Sequence, residues 1–204
     1  MKNPLRYQTT KYDCGPASLE NAITYLFKRE EIPPAILKSI AIYCLDRYNA
    51  KGEYPKGGTS SMAMKYLSDW LNRYRAVYKF PIRCEFITGR EVRFDGKSKL
   101  ISCLKRGGVA VLRVWLGCGH YVLLTGFDER HAFVFDPYFR KKPFANREIL
   151  MIGDRPMCMN RKVPFSVLNA EGKSPYEMGA VEGRDATLLY NLNTTRAGDP
   201  DDLP

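Results

Sequence analysis

QTTKYDCGPASLEN, residues 8–21, sets a cysteine at the expected first turn of a helix and a glutamine six residues before it. Leu19, Ala22, Ile23 and Leu26 recur at helical spacing, Pro16 is tolerated in a first turn, and Asp13 is placed to cap. Ser18, Glu20, Asn21 and Thr24 fill the other face. A helix start offers unpaired N–H groups and the positive end of the dipole, which favour a thiolate. If Cys14 attacks a carbonyl, its own backbone N–H and the Gln8 carboxamide are the expected donors to the developing oxyanion. A lone cysteine in such a place is more often a small buried apolar residue, so Cys14 needs partners before it becomes a candidate nucleophile.

Those partners come a hundred residues later, in GHYVLLTGFDERHAFVFDPYF, residues 119–139, where His120 opens one apolar run and Asp136 closes the next. The two stretches together resemble the papain-like bacteriocin-processing cysteine peptidases, the domain that removes double-glycine leader peptides at the N-terminus of certain ABC exporters. The similarity rests on Gln8, Asp13-Cys14-Gly15, Ala17 and Leu19, then on His120-Tyr121-Val122 and Asp136-Pro137. It runs over about residues 4–139. The resemblance implies Cys14 as nucleophile, His120 as general base and acid, Asp136 as the group that orients the imidazole, and Gln8 as oxyanion donor. That chemistry needs these types: thiol and imidazole form an ion pair, the imidazolium protonates the leaving amine, and a carboxylate on the far ring nitrogen fixes the tautomer. No transmembrane segment and no ATPase motif occurs in the sequence, which takes the leader-peptide substrate out of its exporter context.

The order of elements points the same way. A second helix is expected over Pro34 to Tyr48, a loop over 49–58, and a third helix capped by Thr59 or Ser60 and running through Tyr74, with Ala63, Tyr66, Leu67, Trp70, Leu71 and Tyr74 as its apolar face. Pro81 to Ile87 is strand-like, Lys97 to Arg106 a short helix stopped by Gly107-Gly108, and VAVLRVWL, YVLLTGF and AFVFDP are consecutive strands. Helices followed by strands make an α+β fold, which the resemblance refines to a papain-like fold with N-terminal helices packed on an antiparallel sheet. Three parts are expected: residues 1–139 as the peptidase domain, 140–192 as a C-terminal extension packed on it with a strand at Ala186 to Leu192, and 193–204 as a disordered tail.

Strand parity constrains the hairpin between His120 and Asp136. A turn over Asp128 to His131 pairs Phe127 with Ala132 and leaves Asp136 opposite Leu123, on the face away from His120. An odd-length turn, or a β-bulge that shifts the register by one residue, brings the two onto one face.

The net charge of +10, with a pI near 9.3, would suit acidic peptides, nucleic acid or anionic surfaces, but no nucleic-acid motif is present and no Lys/Arg run exceeds three residues. The six cysteines, Cys14, Cys44, Cys84, Cys103, Cys118 and Cys158, are scattered, and no apolar leader precedes the first motif, so reduced thiols and a cytoplasmic protein are expected. With only two histidines and no CxxC pair, no metal or other cofactor is expected. His131 reads as a solvated turn residue and Cys118 as part of a GCGH turn. The expected activity is cleavage of a peptide or protein substrate through a thioester, after small residues such as Gly-Gly. The same residues would also serve an acyl transferase or amidase, because the groove and not the nucleophile chooses the acceptor. A non-catalytic peptide-binding module would not need all four residue types.

Overall fold

The computed structural model describes residues 3–196. Helix α1 spans Cys14–Leu26, α2 Pro34–Tyr43 and α3 Ser61–Tyr78. The chain then alternates through β1 (Ile82–Thr88), α4 (Lys99–Lys105), β2 (Val109–Trp115), β3 (Gly119–Phe127), β4 (His131–Phe135), β5 (Leu150–Met151), β6 (Arg161–Pro164), α5 (Phe165–Asn169) and β7 (Asp185–Asn191). The strands form one antiparallel sheet in the order β1-β7-β2-β3-β4-β6-β5.

Alternating side chains give the sheet two apolar faces. Val109, Val111, Tyr121, Leu123, Phe135 and Leu189 bury one face against α1, α2 and α3, where Leu19, Ile23, Ile36, Ile40, Leu67 and Leu71 are fully covered. Ala110, Leu112, Val122, Leu124, Val134 and Leu188 face the other core, closed by α4, α5 and the segment around Tyr176. Removing a large aliphatic group such as Ile23 from such a core costs about 2–5 kcal/mol, which is why the position of α1 on the sheet is well determined.

Several boundaries differ from those read in the sequence. Helix α2 stops at Tyr43, because Asp46 turns away to bond the backbone N–H and hydroxyl of Ser60 and the Arg47 carbonyl accepts from Gly57 N at 2.9 Å. Ser60 caps α3 as expected, accepting from Ala63 N at 3.1 Å, but the helix continues to Tyr78 and ends at Lys79, which takes a left-handed φ of 57°. Its buried face is Ala63, Met64, Leu67 and Leu71, while Tyr66 is exposed and Trp70 and Tyr74 flank the core. The expected strand at 186–192 is β7, which enters the sheet between β1 and β2. Of the tail expected over 193–204, Arg196 N donates to Arg106 O at 3.0 Å, and residues 197–204 lie outside the described residues.

Candidate active site

Cys14 is the first residue of α1 and is largely buried. Asp13 occupies the position before it without capping the helix by its side chain. Its carboxylate instead accepts from Thr9 N at 3.0 Å, Thr10 N at 2.8 Å and Thr10 Oγ1 at 2.6 Å, and so folds the approach to Cys14 into a tight turn. Ser18 Oγ donates to Tyr121 O at 3.0 Å, fixing α1 to β3 one residue beyond His120. Cys14 and His120 line one cleft, and Cys14 is among the groups that favour the charged imidazole.

The far side of the imidazole meets Asp136: His120 Nε2 lies 2.7 Å from Asp136 Oδ1, with both side chains buried. With Nε2 taken, Nδ1 is the nitrogen left for Cys14. The hairpin reaches this geometry by the bulge and not by an odd turn. Phe127 pairs with Ala132 and Gly126 with Phe133, then the register slips at Thr125 so that Leu124 faces Val134 and Leu123 faces Phe135. The next position, Asp136, therefore falls opposite Val122 and shares its face with His120. The extra residue is well bonded: Thr125 Oγ1 donates to Cys158 O at 2.7 Å, and Thr125 O accepts from Tyr25 OH of α1 at 3.4 Å.

Two residues from the C-terminal segment complete the surroundings of Asp136. Tyr176 OH donates to Asp136 Oδ2 at 2.6 Å, so each carboxylate oxygen has a side-chain donor, and Tyr138 N adds a third bond to Oδ1 at 2.8 Å. Asn160 clamps the Asp136 backbone from both sides, accepting its N–H at 2.8 Å and donating to its carbonyl at 2.8 Å. Tyr176 is fully buried and holds a left-handed φ of 69°, a conformation that costs a side-chain-bearing residue about 1–2 kcal/mol. Its backbone N–H to Trp115 O at 2.7 Å and its phenol on Asp136 keep it there. Nothing local marks Asn160 or Tyr176 in the sequence; the only signal is that a buried carboxylate needs more donors than one histidine supplies.

Burial opposes the charged form of His120, but the Asp136 carboxylate and Cys14 outweigh it and raise the imidazole to about 10. Burial also works against ionisation of Asp136, yet His120, Tyr176 and Tyr138 N hold its carboxyl below the usual value. The His120 pairing thus stabilises the fold fully below the unfolded value of about 6.5 and fades as pH climbs toward about 10. The Asp136 contribution is complete above about 3.9 and is lost in acid. With two histidines in the chain, NMR is expected to show one imidazole that stays protonated through neutral pH and titrates only toward about 10, with a lower midpoint in Cys14→Ala. Two imidazoles both titrating below about 7 would contradict this.

Gln8 is held by its backbone N–H, which donates to Pro137 O at 2.8 Å beside Asp136. Its Nε2 donates to Thr10 O at 2.7 Å, which leaves one amide hydrogen, and its Oε1 is buried without a partner. Gln8 lines a separate cleft of about 320 Å³ with Asp13 and Pro16, whereas Cys14 and His120 share one of about 370 Å³. The structure therefore brings Cys14, His120 and Asp136 together and turns the Gln8 amide toward Thr10. His131 begins β4, half-buried, with Nδ1 3.1 Å from Asp128 Oδ1. Cys118 is exposed, and Cys44, Cys84 and Cys103 are buried. Among the described residues no cluster of His, Cys, Asp and Glu side chains is arranged to hold a metal ion, and no helix is long and apolar enough to cross a membrane.

A thiol at a helix start, an imidazole from the sheet and a carboxylate behind it are the groups with which a cysteine peptidase performs acyl transfer, and a cysteine peptidase is what this chain is. It belongs to the Peptidase_C39 like family, whose family model matches residues 2–152. Among seven solved chains that match is a double glycine motif protease from an AMS/PCAT transporter, in complex with the leader peptide. It is 15% identical, with 92% of this chain and 89% of that one covered and a TM-score of 0.45. No curated protein matches the sequence.

Proposed function

We propose that the protein hydrolyses a peptide bond through a Cys14-His120-Asp136 triad, on the carboxyl side of small residues. The observation that carries the reading is the 2.7 Å contact between His120 Nε2 and the buried Asp136, with Cys14 lining the same cleft as His120. The Cys14 sulfur adds to the substrate carbonyl carbon, and the oxyanion is received by the Cys14 N–H, joined by the Gln8 amide once it swings from Thr10 toward the cleft. The imidazolium then protonates the leaving nitrogen as the C–N bond breaks, which leaves a thioester on Cys14. A water that gives its proton to His120 attacks the thioester, and the C–S bond breaks to release the acid. Asp136 stays ionised throughout and holds the ring.

A preference for small residues is supported by the loop at 57–59, which lines the cleft with Cys14 and packs so closely on the next residue that a Cβ on Gly15 would lie 2.2 Å from Thr59 Oγ1. Six free thiols suit a reducing compartment such as the cytoplasm. The test is a peptide library profiled with wild type and Cys14→Ala, with acid-quenched samples examined by mass spectrometry. Cleavage after Gly-Gly or similar pairs is expected, with an acyl adduct on Cys14 and a loss of at least about a thousandfold in the variant. Turnover that survives Cys14→Ala, or a preference for bulky residues before the scissile bond, would refute the reading.

A further inference from the structure

The cleft beside Cys14 and His120 has a one-signed lining. Lys11, Arg47, Lys56 and Arg113 contribute to it, and none of its described lining residues is acidic. Lys56 is met by Glu53 at 2.7 Å, but Lys11 and Arg47 are exposed and have no carboxylate partner among the described residues. Arg113 differs from these because the fold fixes it. Its partner across β3 is Tyr121, and Asp185 continues the same row on β7; Tyr121 OH donates to Asp185 Oδ1 at 2.9 Å, and Arg113 Nη1 lies 3.5 Å from Asp185 Oδ2. Asp185 is buried while the Arg113 side chain is 32% exposed, so the guanidinium is held from behind by one long contact and its remaining N–H groups are left for the cleft. Gly119 makes room for it, since a Cβ there would lie 3.1 Å from Arg113 Nε and Nη2. A fixed guanidinium therefore lies across the residue that precedes His120.

We propose that this cleft selects peptides carrying a carboxylate within reach of Cys14, either an acidic side chain or a free C-terminus, with Arg113 as the specificity-determining residue. The proposal rests on the peptidase reading and names its substrate class. Arg113 supplies the directional donors, for which a planar guanidinium matches a carboxylate better than an ammonium does. Lys11 and Arg47, being exposed, add attraction that salt screens, and the net charge of +10 draws anionic peptides in the same sense.

The experiment uses ten-residue peptides centred on Gly-Gly, with Glu scanned through the other positions against matched Gln peptides, each made with an acid and an amide C-terminus. Binding to full-length Cys14→Ala protein is read by calorimetry, and cleavage by wild type is read separately. At least one carboxylate peptide is expected to bind about tenfold more tightly than its neutral match, and whether the scanned Glu or the free terminus responds identifies the source. Arg113→Gln should abolish that ratio and Arg113→Lys restore part of it. The Lys11→Glu/Arg47→Glu double variant changes only exposed side chains, which keeps folding out of question, and should reduce the ratio several-fold. Equal affinities across all matched pairs, no binding by any peptide, or a ratio untouched by both sets of variants would overturn the proposal. Charge-selective binding without cleavage would instead defeat the peptidase reading and leave the cleft assignment standing; cleavage without charge preference would do the reverse.

Discussion

Limiting iodoacetamide at about pH 6 is expected to alkylate Cys14 ahead of the other five cysteines, because an ordinary thiol of pKa ~8.5 is almost wholly protonated there. Cys14 alone has a buried imidazolium beside it, and that imidazolium persists well above neutral pH. Burial pushes Cys44 and Cys103 up to about 12 and Cys84 higher still, so these three should react only when the protein unfolds. Cys118 is the internal control: it is exposed and two residues from His120, but it lies on a turn and not at a helix start. Replacing His120 with alanine removes the counter-ion and should slow labelling of Cys14 by about tenfold or more. Peptide mapping that finds Cys118 modified first, or Cys14 no faster than the rest, would remove Cys14 as nucleophile.

Asn160→Ala is expected to be as damaging as a change within the proposed triad, although Asn160 touches no reacting atom. Its amide satisfies the backbone N–H and carbonyl of Asp136 at 2.8 Å each, in a buried site. Leaving two buried backbone groups unpaired costs about 1–3 kcal/mol each, which for a chain of this size lowers Tm by roughly 5–20 °C. Activity measured well below that Tm should fall through kcat more than KM, because the carboxylate that orients His120 loses its anchor. Asn160→Asp keeps the acceptor, loses the donor and sets a second carboxylate beside Asp136, so it should recover little. A melting temperature within a degree or two of wild type for Asn160→Ala would show that water replaces the amide and that the clamp is dispensable.

The contrast between Cys14 and Asn160 shows what a sequence discloses. Cys14, His120 and Asp136 could be read because each ends or begins a patterned element whose local chemistry is visible. The hairpin could be reasoned to two solutions, but the choice of the bulge depended on Tyr25 and the Cys158 carbonyl, which bond Thr125 from distant parts of the chain. Asn160 and Tyr176 lie 24 and 40 residues beyond the aspartate they hold, in a stretch without periodicity. The insertion of β7 between β1 and β2 is likewise non-local, since its apolar residues state that a strand exists and not where it pairs. Asp13 was legible as a helix-start residue, but three donors at Thr9 and Thr10 claim its carboxylate.

The bulge at Thr125 also ties the facing of Asp136 to the register of the hairpin and not to the length of its loop. Residues added to or removed from the Asp128–His131 turn leave every side chain of β4 on its present face as long as Phe127 stays opposite Ala132. A slip of the pairing by one residue would turn the Asp136 carboxylate into the opposite core, whereas loss of Thr125 with the present pairs kept would leave Asp136 opposite Val122 in a more regular ladder. Descendants of this gene can therefore vary the length of that turn while the pairing that carries the site stays fixed.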